Sequence, residues 1–164
     1  MIAEYEGRSK REEGRSAESP VDFFEGGRQY ALGQAHKHLP EMSKICGLEF
    51  APCFAPIVVP HLSGMEVTVP LHGIDIEAVK ACYREYYGER GLVKFVDDPA
   101  AAEGGFLSSA GLSGRDDLEV SVYGNAERAV LVSRFDNLGK GASGAAIQNM
   151  NIVLGCAEDE GLVR

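Results

Sequence analysis

No cluster of lysine or arginine runs through this sequence: 16 basic residues stand against 25 acidic ones, with a formal charge of −9 and a pI near 4.9. Nucleic-acid backbones and anionic membrane surfaces bind through such clusters, so both are disfavoured as partners, while a small anionic ligand stays open. No apolar run approaches the roughly 18 to 20 residues of a membrane span, and the opening "MIAEYEGRSK" has no signal-peptide apolar segment. A soluble, cytoplasmic protein is expected. The four cysteines, Cys46, Cys53, Cys82 and Cys156, have no C-x-x-C spacing, which leaves reduced structural thiols in apolar surroundings as the expectation. No internal repeat is present.

The 164 residues with 45% apolar content suffice for one core. Residues 1–18 carry dense charge of both signs without apolar periodicity and read as a flexible arm or exposed loop. The remainder, 19–164, reads as one domain. Ser19-Pro20-Val21-Asp22 has the form of a helix start. Arg28 to Gln34 reads as a short strand, and Pro40 opens a helix with Met42, Ile45 and Cys46 on one face, stopped by Gly47. The prolines between Phe50 and Pro60 predict an extended path or edge strand. Val67, Val69 and Leu71 alternate with polar neighbours as in a half-buried strand, and Asp75 caps a helix aligning Ile76, Val79, Tyr83 and Tyr86. Leu92 to Val96 reads as a strand, and Asp97 to Gly114 as a connection. Leu118–Tyr123 and Ala129–Phe135 read as a hairpin. A terminal helix is expected over about 141–157, with Ala146, Ile147, Met150, Val153 and Leu154 on one side. The sum is an α+β domain with a mixed or antiparallel sheet covered by helices on one face.

Two segments carry chemistry. In "QYALGQAHKHLPEMSKICG" two of the four histidines, His36 and His38, flank Lys37 just ahead of Pro40 and Glu41. Such a pair in a loop is by default a solvated turn. Structural zinc requires four ligands at short spacings, and neither His61, His72 nor a cysteine pair completes that set, so no metal is expected. Acid/base work is the third reading: a ring just before a helix N-terminus sits at the positive end of the helix dipole, where the neutral form is favoured, and Glu41 can orient it or bind substrate. The second segment is "FDNLGKGASGAAIQNMN". Its order is not that of a phosphate loop. Gly139 and Gly141 are expected to supply unusual backbone angles at a strand-to-helix turn, while Asn137 and Lys140 stand where a ligand could reach a helix start.

Taken together, "YALGQAHKHLPEM", "GMEVTVPL" and "DNLGKGASGAAIQNMNIVLG" resemble N-acetyl-γ-glutamyl-phosphate reductase over about residues 5 to 163. The family shows Tyr, five residues, then His-basic-His-x-Pro-Glu, matched here by Tyr30, His36, Lys37, His38, Pro40 and Glu41. It ends on Asp-Asn-Leu-x-Lys-Gly, matched by Asp136, Asn137, Leu138, Lys140 and Gly141. Many relatives carry Arg before the glycine matching Gly64, where this chain has Ser63.

The resemblance implies a glyceraldehyde-3-phosphate-dehydrogenase-like C-terminal catalytic and dimerisation domain, self-associating as a homo-oligomer through its sheet. It implies that the cysteine nucleophile and most of the NADP-binding surface precede the matched segment, so that the isolated chain is inactive and binds NADPH weakly. The implied reaction reduces an acyl-phosphate substrate to a semialdehyde by way of a thioester. The implied roles are His36, His38 and Glu41 in catalysis, with His36 or His38 managing the proton, Tyr30 lining the substrate pocket, and Asn137 and Lys140 at the cofactor; between the two rings, the position of His36 beside Tyr30 favours it for the transfer. A truncated domain that only self-associates, and a relative acting on aminoadipyl or aspartyl phosphate, are the alternatives.

Overall fold

A computed structural model describes residues 25–88, 91–97 and 104–164. The expected arm over 1–18 and the helix start at Ser19 lie outside the described residues. Two compact units, Met1–Pro60 and His61–Arg164, meet in sequence at Pro60.

In the first unit, β1 (Arg28–Gln29) pairs antiparallel with β2 (Ile57–Val58), and the Tyr30 N–H donates to the Pro56 carbonyl at 3.1 Å. The strand expected to reach Gln34 stops early, because Ala31 and Gln34 adopt positive φ of 54° and 52° and turn the chain. Helix α1 runs His38–Cys46, so Pro40 falls at its third residue rather than its first. The shift follows from His36. Its carbonyl accepts the Leu39 N–H at 3.1 Å and its ring Nδ1 accepts the His38 N–H at 3.3 Å, while Pro40 has no N–H to satisfy. Gly47, at φ 62°, closes the helix. Leu39 is the buried residue of α1, whereas Ile45 and Cys46 are exposed.

The second unit is built on a four-stranded mixed sheet. Its strands are β3 (Met65–His72), β4 (Val93–Phe95), β5 (Leu118–Gly124) and β6 (Arg128–Phe135), in the order β3-β6-β5-β4. The expected hairpin is β5–β6, with Leu118 opposite Phe135 and Gly124 opposite Ala129. Asn125 makes its turn by accepting the N–H groups of Glu127 and Arg128, both at 3.0 Å. β3 lies antiparallel on β6 at one edge, where Pro70 is tolerated, and β4 lies parallel on β5 at the other.

Residues in register share a face, so Val69, Leu131 and Val122 form one apolar row. Helix α2 (Ile76–Tyr86) lies on that side, its Tyr83 ring 6.0 Å from Phe95. Asp75 caps α2 as expected, accepting from Glu77 and Ala78. The opposite face is covered too: the Arg134 guanidinium donates to the Ser108 carbonyl and pairs with Glu119 at 2.9 Å, and Ser121 and Val132 are buried. β3 is shallower than its alternation suggests, with Val67 and Val69 keeping 44% and 45% of their surface in solvent.

The terminal helix, α3, spans Gly144–Leu154, shorter than the expected 141–157, because Gly139–Ser143 forms a π-helical turn ahead of it. In that turn Gly141 N–H reaches the Asp136 carbonyl and Ser143 N–H the Leu138 carbonyl, each five residues back. Gly139 and Gly141 do not adopt positive φ there. Smallness is what the position requires, since a Cβ at Gly139 would stand 2.4 Å from the Arg115 carbonyl oxygen. The expected apolar side of α3 also faces outward, with Val153 84% exposed. Gly144 and Asn151 are buried instead. Gly144 abuts the Asp116 carboxylate, and Asn151 Nδ2 donates to the carbonyls of Glu158 and Glu160, so polar ties and a close approach choose the buried face. All four cysteines are free and exposed rather than set in apolar surroundings. No helix among the described residues is long and apolar enough to cross a membrane.

Asp117 is fully buried in the second unit. Burial pushes its carboxyl up, but bonds from Arg115 (2.8 Å) and Lys94 (2.7 Å) outweigh that and hold it below the ordinary carboxylate value. Asp136 is also held low: burial opposes ionisation, and bonds from Gly114, Leu138, Gly139 and Ser63 prevail. Groups depressed in the folded state stabilise it above their unfolded pKa of about 3.9 and cease to do so as pH falls through the lower folded value. The second unit should therefore hold a constant urea midpoint from pH 7 to about 5 and lose stability below about pH 4. Asp117→Asn should flatten that fall. A midpoint unchanged down to pH 3 would contradict the assignment.

Candidate active site

Each unit presents one candidate cluster. In the first, Tyr30, His36, His38 and Glu41 form an unbroken chain of contacts. The Tyr30 ring meets His36 edge-on at 5.6 Å between centroids, His36 and His38 are 4.8 Å apart, and His38 Nδ1 stands 2.8 Å from Glu41 Oε2. The last pair follows from helical geometry, because residues three apart in α1 are neighbours. Both partners are about half exposed or more, so the pair orients a ring rather than stabilising the fold.

The two rings have complementary hydrogen-bond roles. His36 Nδ1 faces the His38 N–H and so offers a lone pair there; the ring form that fits carries its proton on Nε2. His38 Nδ1 faces a carboxylate and so donates, which leaves Nε2 as its acceptor. One ring thus presents a donor and its neighbour an acceptor.

His36 also lines a cavity of about 310 Å³ with Gln34, Leu39, Pro40, Ser43 and Ala51. It is the ionisable group in that lining. Tyr30, His38 and Glu41 border the rings but not the cavity wall. Phe54, unanticipated from the sequence, packs its ring 5.1 Å from His36.

In the second unit the turn after β6 is organised by Asp136, which is buried and accepts four hydrogen bonds. They come from Leu138 N–H (2.7 Å), Gly139 N–H (3.1 Å), Gly114 N–H (2.5 Å) and Ser63 Oγ (2.9 Å). Ser63 also contacts the Ser113 hydroxyl. Ser63 is thereby committed to the scaffold. The neighbouring Gly64 N–H donates to Asn137 Oδ1 at 2.9 Å, which fixes the amide so that Nδ2 points its two donors away from Gly64. No partner for Nδ2 occurs among the described residues. Lys140 reaches forward to Gln148, whose Nε2 donates to Glu158, so its ammonium is held along α3. An Asx turn at Asp136 was readable from Asp followed by backbone donors two and three residues on. Its bonds to Ser63 and Gly114 were not. Among the described residues, no group of three or more His, Cys, Asp or Glu side chains could hold a metal ion.

A sequence family described as semialdehyde dehydrogenase, dimerisation domain, matches residues 7–137. The chain belongs to that family. Among curated relatives of this semialdehyde dehydrogenase domain, N-acetyl-gamma-glutamyl-phosphate reductase 2 of Nostoc sp. is 36% identical over 99% of this chain and 52% of its own length. The N-acetyl-gamma-glutamyl-phosphate reductase of Burkholderia ambifaria is 37% identical over 88% of this chain and 50% of its own. The Sinorhizobium fredii reductase of the same name is 40% identical over 76% and 42%. The chain spans about half the length of the curated relatives it matches. Among solved structures, aspartate semialdehyde dehydrogenase II of Vibrio cholerae superposes with a TM-score of 0.59 at 18% identity, covering 90% of this chain and 47% of that one. That likeness carries the fold, an α+β semialdehyde dehydrogenase domain.

Proposed function

We propose that this chain supplies the histidine and glutamate half of an N-acetyl-γ-glutamyl-phosphate reductase, which reduces N-acetyl-γ-glutamyl phosphate to the semialdehyde with NADPH. The supporting observation is the contiguous set Tyr30–His36–His38–Glu41 beside a cavity that His36 lines, in a chain whose relatives at 36 to 37% identity carry that enzyme's name. His36, with Nε2–H free, donates a hydrogen bond to the oxygen of the reacting carbonyl and stabilises the charge that develops on it. His38, aligned by Glu41, holds the substrate as an acceptor, and Tyr30 keeps the His36 ring upright. NADPH, when bound, supplies the hydride. Asn137 Nδ2 fits a carbonyl acceptor such as the cofactor's carboxamide, while Lys140 lends the turn its tie to Gln148. Self-association through the sheet is supported by the family's description and by the apolar residues Met65, Val67 and Val69 left part-exposed on β3.

The test is a chimaera of the Nostoc enzyme whose aligned half is replaced by this chain. Given N-acetylglutamate semialdehyde, phosphate and NADP, it should form NADPH in a phosphate-dependent reaction, and aspartate semialdehyde should react about 10²-fold more slowly or worse. A folded chimaera without phosphate-dependent turnover, beside an active parent, would leave the self-associating domain as the better reading. Equal use of aspartate semialdehyde would move the assignment to the other substrate.

A further inference from the structure

We propose that Gln34 is a positioning residue for His36, acting as a clamp on the backbone of Phe54; its catalytic meaning rests on the reading of His36 given above. Gln34 holds φ at 52°, a region that a residue with a side chain adopts at a cost and keeps only where its surroundings fix it. What fixes it is on the side chain. Gln34 Nε2 donates to the Phe54 carbonyl at 2.7 Å, and the Phe54 N–H donates to Gln34 Oε1 at 2.8 Å. One carboxamide thereby satisfies both backbone groups of a residue 20 positions away, as a neighbouring strand would. Phe54 requires such a substitute because it lies beyond the β1–β2 pairing, in a segment broken by Pro52 and Pro56.

The clamp reaches the histidine by two routes. Its backbone turn lies two residues before His36 and sets where that residue stands ahead of α1. Its side chain fixes Phe54, whose ring packs at 5.1 Å and a 51° tilt on one side of His36, while Tyr30 stands edge-on at 5.6 Å. With Nδ1 taken by the His38 N–H, the ring is held on three sides and Nε2 is the edge left to react. Gln34 itself lines the same cavity as His36. A catalytic ring must be held by groups whose own positions are locked, and here the lock is a strained residue tied by two hydrogen bonds.

The experiment reads the rings of His36, His38, His61 and His72 by NMR in this chain. In the wild type, His36 ring protons should show an NOE to Phe54 and the displaced shifts of a ring between two aromatics. Gln34→Ala should abolish that NOE and move the His36 resonances toward those of exposed His72, leaving His61 and His72 unchanged. Gln34→Gly separates the routes, because glycine adopts φ 52° freely yet has no clamp; it should also lose the NOE. Should the alanine variant fail to fold, the glycine variant and the wild-type NOE still decide. A missing NOE in the wild type, or a folded glycine variant that keeps both NOE and shifts, would overturn the proposal. The readout stands apart from turnover. If His36→Ala leaves the chimaera active while Gln34→Gly still frees the ring, the clamp holds and the catalytic role given to His36 falls. An inactive His36→Ala with an undisturbed ring in Gln34→Gly sinks the clamp alone.

Discussion

Gly64→Ala is expected to destabilise the second unit by roughly 3 to 5 kcal/mol, the sum of overpacking against backbone and a strained φ. Gly64 has φ 113°, outside the small left-handed region that Asn or Asp tolerate, and its missing Cβ is the space that Ser109 and Ala110 occupy. A methyl there would stand 2.3 Å from the Ser109 carbonyl oxygen and 2.8 Å from Ala110 Cα. Both are backbone atoms, so no side chain can swing aside. The loop carrying Ser109 is tied down by Gly114 on Asp136 and by Gly111 packed against Arg134, so relief would break those contacts. Displacing Gly64 also removes the N–H that orients Asn137. Gly155→Ala is the control: φ there is 71°, nothing lies within 4 Å, and the cost should be about 1 kcal/mol. Urea unfolding of both variants measures the difference. A Gly64→Ala value no larger than that of Gly155→Ala would show that the loop yields and that Asn137 is held by something else.

What the sequence made legible was local. The Asp75 cap, the β5–β6 hairpin and the His38–Glu41 pair each depend on residues a few positions apart, where turn chemistry, alternation and helical spacing act directly. Three kinds of feature escaped. Ala31 and Gln34 take positive φ although Gly33 lies between them, because the Gln34 carboxamide compensates for its own backbone through a partner 20 residues on. The face that α3 buries is set by Asp116 approaching Gly144 and by Asn151 tying down the tail, so an apolar stripe through Met150, Val153 and Leu154 pointed to the wrong side. Exposure of that stripe, of β3 and of the cysteines reflects surfaces a periodicity argument assigns to a core within one chain. At the second cluster, Asn137 was readable as a polar group near a helix start, but not the reason its Nδ2 is the free end. That reason is Gly64, 73 residues earlier.

In the chimaera, His36→Ala should lower kcat by about 10² or more while leaving NADPH affinity nearly unchanged, the pattern of an interaction made only in the transition state. His36 lines the cavity with its ring fixed by the His38 N–H on Nδ1, so the donor it offers to the charge developing on the reacting oxygen is Nε2–H. Removing the ring deletes that donor without touching Asn137, the residue proposed to meet the cofactor. His38→Ala removes a different group: an acceptor aligned by a half-exposed carboxylate, outside the cavity wall. Its loss should raise KM for the acyl phosphate more than it lowers kcat, and Glu41→Gln should follow the same pattern more weakly, since it disturbs only the ring's orientation. Because the His38 N–H that holds His36 is backbone, His38→Ala keeps that hold, which makes the two histidine variants separable. Steady-state kinetics in both directions, with NADPH affinity from fluorescence titration, give the comparison. A His36→Ala chimaera with near-normal kcat beside a crippled His38→Ala would reverse the roles of the two rings.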